Sequence, residues 1–242
     1  EQTRAHAGYK QSHIKQYFSC QLNAANKLEA EVWFNNAERQ TPNSVLVNKP
    51  AAALLTDNYL RSRVNWSLAK AKNVLNVSYA YLYEWQTYED STVTDLQGNG
   101  LKDTNITASH VVQANYERLI NNRWKWQNGV LIRYDDVSGS NRKGSQNTAS
   151  AQSGLFYSFN RLSAQAVLRA EVWDGNFQPV SPFASARVRL LKNVFASIYG
   201  GYNYRIPSLN DRFWVPGGNV NLQPESGWTG EGAVFYDKSS KH

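Results

Sequence analysis

The residues best placed to do chemistry in this chain are charged pairs spaced two apart: Glu29 and Glu31, Arg61 and Arg63, Arg169 and Glu171, Arg187 and Arg189. That spacing puts both members of a pair on one face of a strand. There they can pair with opposite charges on a neighbouring strand. A second group combines aromatic rings with a guanidinium: Trp173, Asn176 and Phe177 in one polar stretch, and Asp211, Arg212, Phe213 and Trp214 in another. Exposed on loops, such residues suit a large, partly apolar, anionic ligand. Catalytic chemistry has no comparable footing. His6, His13, His110 and His242 show no metal-ligand spacing. No G-x-S-x-G, P-loop or dinucleotide fingerprint stands in a strand-to-helix context. No catalytic residue, metal site or cofactor is therefore expected. Cys20 is the single cysteine, so no internal disulfide is available.

The elements that must carry these residues read as strands. Alternation of period two dominates, and no helical stripe competes with it. In 28–35, Leu28, Ala30, Val32 and Phe34 oppose Glu29, Glu31, Trp33 and Asn35. In 59–68, Leu60, Val64, Trp66 and Leu68 oppose Arg61, Arg63, Asn65 and Ser67. The pattern recurs at 75–86, 162–173 and 184–190, where the charged pairs always fall on the polar face. His110 is the awkward member, because alternation sets it on the apolar face with Ala108 and Val112. It belongs there only near an interface with water, or if the register slips.

The connections alternate in length. Short polar links fall near 23–27, 69–73, 120–123, 160–161 and 191–193, and long ones near 37–57, 88–104, 136–148, 174–181 and 205–225. About eleven strands joined this way form an antiparallel meander with its long loops at one end. A transmembrane barrel has that asymmetry, whereas a soluble sandwich has no need of it. The 8 Trp and 14 Tyr support the barrel, since they cluster where strands would cross an interface: Trp85 and Tyr88, Trp124 and Trp126, Tyr134. A membrane-crossing helix is excluded, because it needs a run of about 18 apolar residues. The mean hydropathy of -0.58 does not count against a barrel, whose strands face lipid only at alternate positions. The net charge of +7 comes from scattered Lys and Arg, which does not support nucleic acid as a partner. With no Met anywhere, residues 1–242 are expected to be part of something longer.

One segment carries a family resemblance. Tyr204-Arg205-Ile206-Pro207, an aromatic cluster, Gly217-Gly218, then Asn219-Val220-Asn221-Leu222 with Pro224 and Glu225 resemble two sequence boxes near the end of TonB-dependent receptor barrels. The second box departs from the family at Val220, where Pro is usual. Weaker likenesses run through Trp33-Phe34, Arg39–Pro42 and Tyr59–Ser62. Gly217, Gly218 and Asn219 are expected to turn through positive φ, Pro207 to end one strand and Pro224 to lead into the next.

The resemblance implies an all-β, antiparallel, up-and-down transmembrane β-barrel. About eleven strands make it part of a wall of roughly 22. It further implies residence in the bacterial outer membrane, lipid against the apolar face, and active uptake of a scarce nutrient complex of the ferric siderophore or cobalamin type. All of 1–242 is then barrel. A plug domain of the same full-length protein, and contact with TonB, are expected upstream. Glu29, Glu31, Arg61, Arg63, Arg169, Glu171, Arg187 and Arg189 would line the lumen. There they pair across the wall, solvating it or meeting the plug. Residues 208–218 contain no His, which disfavours haem as the ligand. Three alternatives stay open: a passive porin or adhesin barrel, separable by whether a plug is encoded; an outer-membrane phospholipase or protease, for which no Ser/His grouping stands out; and a soluble carbohydrate-binding β protein, which would need no detergent.

Overall fold

A computed structural model describes residues 6–42, 52–94 and 98–237. They form one antiparallel sheet of β1 (Tyr9–Gln21), β2 (Asn26–Thr41), β3 (Ala53–Lys70), β4 (Asn73–Thr94), β5 (Gly100–Leu119), β6 (Trp124–Gly139), β7 (Lys143–Phe159), β8 (Leu162–Trp173), β9 (Asn176–Phe177), β10 (Ser181–Leu191), β11 (Val194–Arg205) and β12 (Glu225–Tyr236). A single helical turn, α1 (Leu209–Phe213), lies between the last two strands. Each strand pairs with the next in sequence, except that the two-residue β9 folds back on β8 and leaves β8 beside β10. The eleven-strand meander expected from the alternation is present, and its two outer strands, β1 and β12, do not meet.

Tight turns hold the short-link end. Ala71 and Asn160 take positive φ at the β3–β4 and β7–β8 turns, and Asn121 accepts from the amides of Arg123 and Trp124 at the β5–β6 turn. At the other end the strands run well into the expected 37–57, 88–104 and 136–148 loops. β6 continues to Gly139 and β7 begins at Lys143, so the 136–148 loop shrinks to three residues. β4 and β5, at 22 and 20 residues, far exceed the roughly 9–11 that a bilayer requires. These stretches read as loops because both faces turn polar above the apolar zone, yet the backbone ladder continues regardless of what the side chains meet.

The sheet is one layer thick. Among the described residues the buried apolar side chains are few: Ala37, Ala53, Val137, Trp173, Pro207 and Phe213. Large apolar residues instead stand in the open on one face, as with Ile14 at 71%, Leu168 at 58%, Ile198 at 64% and Val234 at 73% exposure. A soluble sandwich would bury that face against a second sheet; here no described residue covers it, which argues against the carbohydrate-binding alternative.

Two bands of rings edge this apolar zone. Near the short turns, Tyr116 meets Trp126 at 6.2 Å and Trp124 meets Tyr157 at 4.7 Å. Farther up, His110 sits among Tyr79, Tyr81 and Tyr134, with its Nδ1 2.8 Å from the Tyr79 hydroxyl. The pairing of β5 with both neighbours is unbroken through His110, so the register does not slip. The imidazole is a polar member of the upper ring band.

Candidate functional site

The lower polar face, on β1 to β4, is a ladder of exposed pairs. Glu31 lies 3.4 Å from Arg63 and 3.6 Å from Lys15. Glu29 bonds Lys27 and Tyr17, with Asn65 across the strand gap, and Arg61 reaches Glu84 at 2.8 Å while stacking over Tyr59. Cross-wall pairing is thus realised for Glu31 and Arg63, whereas Glu29 and Arg61 find other partners.

The expected pairing of Arg169 and Glu171 with Arg187 and Arg189 does not occur. Trp173-Asp174-Gly175-Asn176 closes as a two-residue hairpin, with φ of 46° at Asp174 and 79° at Gly175. That short return sets Ser181 opposite Arg169 and Arg187 opposite Ser163, far down the strands. Arg169 bonds Glu171 on its own strand. Arg187 lies 4.5 Å and 4.6 Å over the stacked rings of Phe195 and Phe235 instead.

The upper polar face is built differently, because the chain between β11 and β12 folds back over it. Arg205 and Glu225 face each other in the β11–β12 register and clasp the base of this excursion through two hydrogen bonds of 3.3 and 3.1 Å. Pro207 and Pro224 flank the clasp, at the end of one strand and the start of the next, as expected. Ser208 caps α1: its hydroxyl accepts from the Asp211 amide at 3.2 Å while the Asp211 carboxylate accepts from the Ser208 amide at 2.9 Å. Hydrogen bonding of the carboxylate by Ser208, from its side chain first and then its amide, holds the Asp211 carboxyl below the usual aspartate range. Farther on, Asn219 turns the chain by accepting from the Asn221 amide at 2.9 Å, and Leu222 donates back to the Asn219 carbonyl.

α1 is pinned to the wall by Arg212. Its guanidinium meets Asp174 at 2.7 Å and Gln146 at 2.8 Å, and lies over the rings of Trp173 and Phe213 at 4.6 and 4.8 Å. Phe213 fills the space above Gly144, where an added Cβ would come within 2.3 Å of the ring. Arg142, on the β6–β7 turn, donates to Asn105 at 2.9 Å and to Asn210, and lies under Trp214. Gly217, Gly218 and Asn219 do not take the positive φ expected of them. Gly218 is needed for close approach instead, since a Cβ there would stand 2.6 Å from the Trp214 backbone.

Of the loop residues singled out in the sequence, Trp173, Asp211, Arg212, Phe213 and Trp214 come together. Arg212 and Phe213 are buried by the contact rather than displayed. Asn176 and Phe177 stay outside it: Phe177 pairs with Val172 on the apolar face and is 67% exposed.

Between α1 and the wall lies a cleft of about 490 Å³, lined by Arg133, Asp135, Arg169, Glu171, Tyr204 and Arg205. Larger hollows of about 670 and 800 Å³ occur nearer the short turns and on the apolar face, but only the upper cleft joins several ion pairs to the folded-back segment. Arg133 grips Asp135 through both carboxylate oxygens at 2.8 Å, and Ser109 donates to the same carboxylate. Asp135 and Glu171 are almost fully buried, while their arginines are half exposed toward the cleft. Each arginine thereby keeps donors free for a second acidic group. The buried polar atoms without a partner include the Tyr204 hydroxyl, Trp173 Nε1 and Arg212 Nε, all in this region. Arg133, Asp135, Gln146 and Asp174 escape the sequence reading. Arg133-x-Asp135 repeats the Arg169-x-Glu171 spacing, and Asp174-Gly175 is a hairpin signal, so two of the clues are present in the chain.

No family model matches the chain, and no curated protein matches it by sequence. Solved structures match by shape. A ferric enterobactin receptor mutant (PfeA) from Pseudomonas aeruginosa superposes over 96% of this chain with a TM-score of 0.75 at 12% identity. The fold is that of a TonB-dependent receptor barrel. The siderophore receptor PirA from the same organism gives 0.75 over 96% at 10% identity, and the unliganded ferric citrate transporter FecA gives 0.68 over 98% at 8%. The chain spans 41%, 44% and 42% of those three proteins. Its open sheet is thus the shape of a sector of such a barrel wall.

Proposed function

We propose that this chain is wall from an outer-membrane, TonB-dependent receptor, and that its upper cleft receives an anionic metal chelate of the ferric siderophore class during active uptake. The observation that carries the reading is the cleft itself. Three half-exposed or exposed guanidiniums, Arg133, Arg169 and Arg205, converge beneath a segment anchored by aromatic–Arg contacts. Buried carboxylates hold two of them in place, so the cleft is preorganised for acceptor oxygens. The neighbours in shape are named for ferric enterobactin and ferric citrate, which supports the same ligand class. An arginine-lined cleft favours an anionic chelate over the cobalamin alternative.

The lower ladder of Lys15, Glu31, Arg63, Arg61 and Glu84 is proposed to face a plug domain of the same polypeptide. Its pairs are exposed and worth little individually, which suits a contact that must release. TonB is proposed to act through that plug rather than on the wall strands. The test is titration of detergent-solubilised protein with ferric catecholate and ferric citrate complexes, read by tryptophan fluorescence. Saturable binding that weakens about tenfold or more in Arg133→Gln/Arg169→Gln is expected, by the loss of two charge-assisted contacts. No saturable binding, or binding indifferent to that variant, would sink the ligand assignment.

A further inference from the structure

The apolar face ends differently at its two margins. At the short-turn margin, between β3 and β10, the outward residues just beyond the ring band are cationic. Lys70 follows Trp66 and Leu68 on β3, and Arg118 lies opposite Trp126 across β5 and β6. The adjoining turns add Lys72, Arg123, Arg161 and Lys192, and all six side chains are exposed. No Asp or Glu shares this face in the sector. The nearby carboxylates Glu29 and Glu117 point to the polar face, where Lys27 and Lys125 already meet them. Among the described residues, Lys70, Lys72, Arg118, Arg123 and Arg161 have no carboxylate in ion-pair range. Arg123 lies over Phe159, 3.7 Å from the ring centroid, which sets a charge against an aromatic ring at this margin. The opposite margin of the same face is balanced. Lys102 pairs with Glu89 at 2.7 Å, Lys10 stands opposite Glu38, and Asp136 and Lys143 share the face.

From this asymmetry we propose that the short-turn margin binds the phosphate headgroups of anionic phospholipids in the adjoining leaflet. The cations lie one step past Tyr116, Trp124, Trp126 and Tyr157, whose rings suit headgroup depth. Lipid phosphates stand there, and an unpaired surface cation is drawn to anionic lipid. The proposal rests on the outer-membrane reading above and adds a lipid selectivity to it.

The experiment uses the 242-residue protein in detergent micelles doped with brominated phosphatidylcholine or brominated phosphatidylglycerol, each of which quenches tryptophan on contact. Phosphatidylglycerol should quench at about one-fifth the mole fraction that phosphatidylcholine requires, the effect of one surface cation. High salt should shrink the gap, and millimolar inorganic phosphate should not. The preference should disappear in Lys70→Gln/Arg118→Gln/Arg123→Gln/Arg161→Gln and persist in Lys10→Gln/Lys102→Gln/Lys143→Gln. Should the fourfold variant lose its β-type circular dichroism, the pairs Lys70→Gln/Arg118→Gln and Arg123→Gln/Arg161→Gln must each narrow the gap. Equal quenching by both lipids, or equal loss in both variant sets, overturns the proposal and leaves the membrane reading standing. Competition by inorganic phosphate assigns the margin to free anions and overturns it too. Absence of quenching by either lipid removes the membrane reading itself.

Discussion

The two halves of the polar face use the same residue types to opposite ends. On β1 to β4, Glu31, Arg63, Lys15 and Lys27 form pairs that stay open to solvent. On β5 to β8, Asp135 and Glu171 are buried by their arginines, and Arg212 is locked between Asp174, Gln146 and two rings. The difference is one of cover. Nothing lies over the lower ladder among the described residues, while the segment from Tyr204 to Pro224 roofs the upper cluster. Solvent screens the first set but is kept from the carboxylates of Asp135 and Glu171 and from Arg212 in the second, so deletion of one charge should be almost silent below and costly above.

The largest effect is expected from Arg212→Ala. It strands Asp174 and strips two rings of their cation, and breaking a largely buried pair costs roughly 3–5 kcal/mol. Hydrogen exchange should then show the amides of 209–219 protected about a hundredfold less or worse, with the strand ladder unchanged; unaltered protection would mean that the anchor lies elsewhere. Gly144→Ala comes next. The new Cβ meets the Phe213 ring, and overpacking of this kind costs about 1–3 kcal/mol. Adding Phe213→Leu should recover part of that loss, whereas strictly additive penalties would refute a contact through the ring.

How much of this is legible in the chain follows from which forces are local. Alternation at Leu28–Phe34 or Leu162–Val172 announces strands with two unlike faces, because each residue's burial is decided by its own strand. Alternation also sets His110 on the apolar face, where it lies; its tyrosine neighbours come from β4 and β6, so the reason it is tolerated emerges only with the register in hand. Strand ends at the long-link margin are hidden because backbone ladders outlast the apolar pattern, as at 136–148. The roof over the upper cleft is out of reach: Gln146 and Arg212 are brought together by a clasp between Arg205 and Glu225, and no local signal specifies which wall strands an excursion will land on. The partners expected for Arg169 fail for want of one detail, the Asp174-Gly175 turn that sets the register.

A smaller effect should follow from acid. Asp211 titrates below its ordinary range because it accepts from Ser208, so its contribution to the cap is complete above the unfolded aspartate value near 4 and fades as pH falls through its lowered folded value. Protection of 209–213 should therefore hold from about pH 7 to 5 and decline in stronger acid. Ser208→Ala should produce the same loosening at neutral pH, worth about 1 kcal/mol. A cap that persists in both cases would show the wall contacts alone to hold α1.

The smallest effect is predicted for the lower ladder, where the comparison is most exposed to failure. Glu31 has two cationic partners, Lys15 and Arg63, at 3.6 and 3.4 Å, and the side chains of all three keep 30–56% of their surface in solvent. Water can replace either partner, and salt screens both, so Glu31→Gln should change stability by no more than about 1 kcal/mol. A double-mutant cycle with Arg63→Gln, run at low and high salt, should return a coupling that vanishes in the latter. A salt-independent coupling of several kcal/mol would mean that this face is covered in the protein as measured, and the contrast between an open ladder and a roofed cleft would then be a contrast between two buried surfaces.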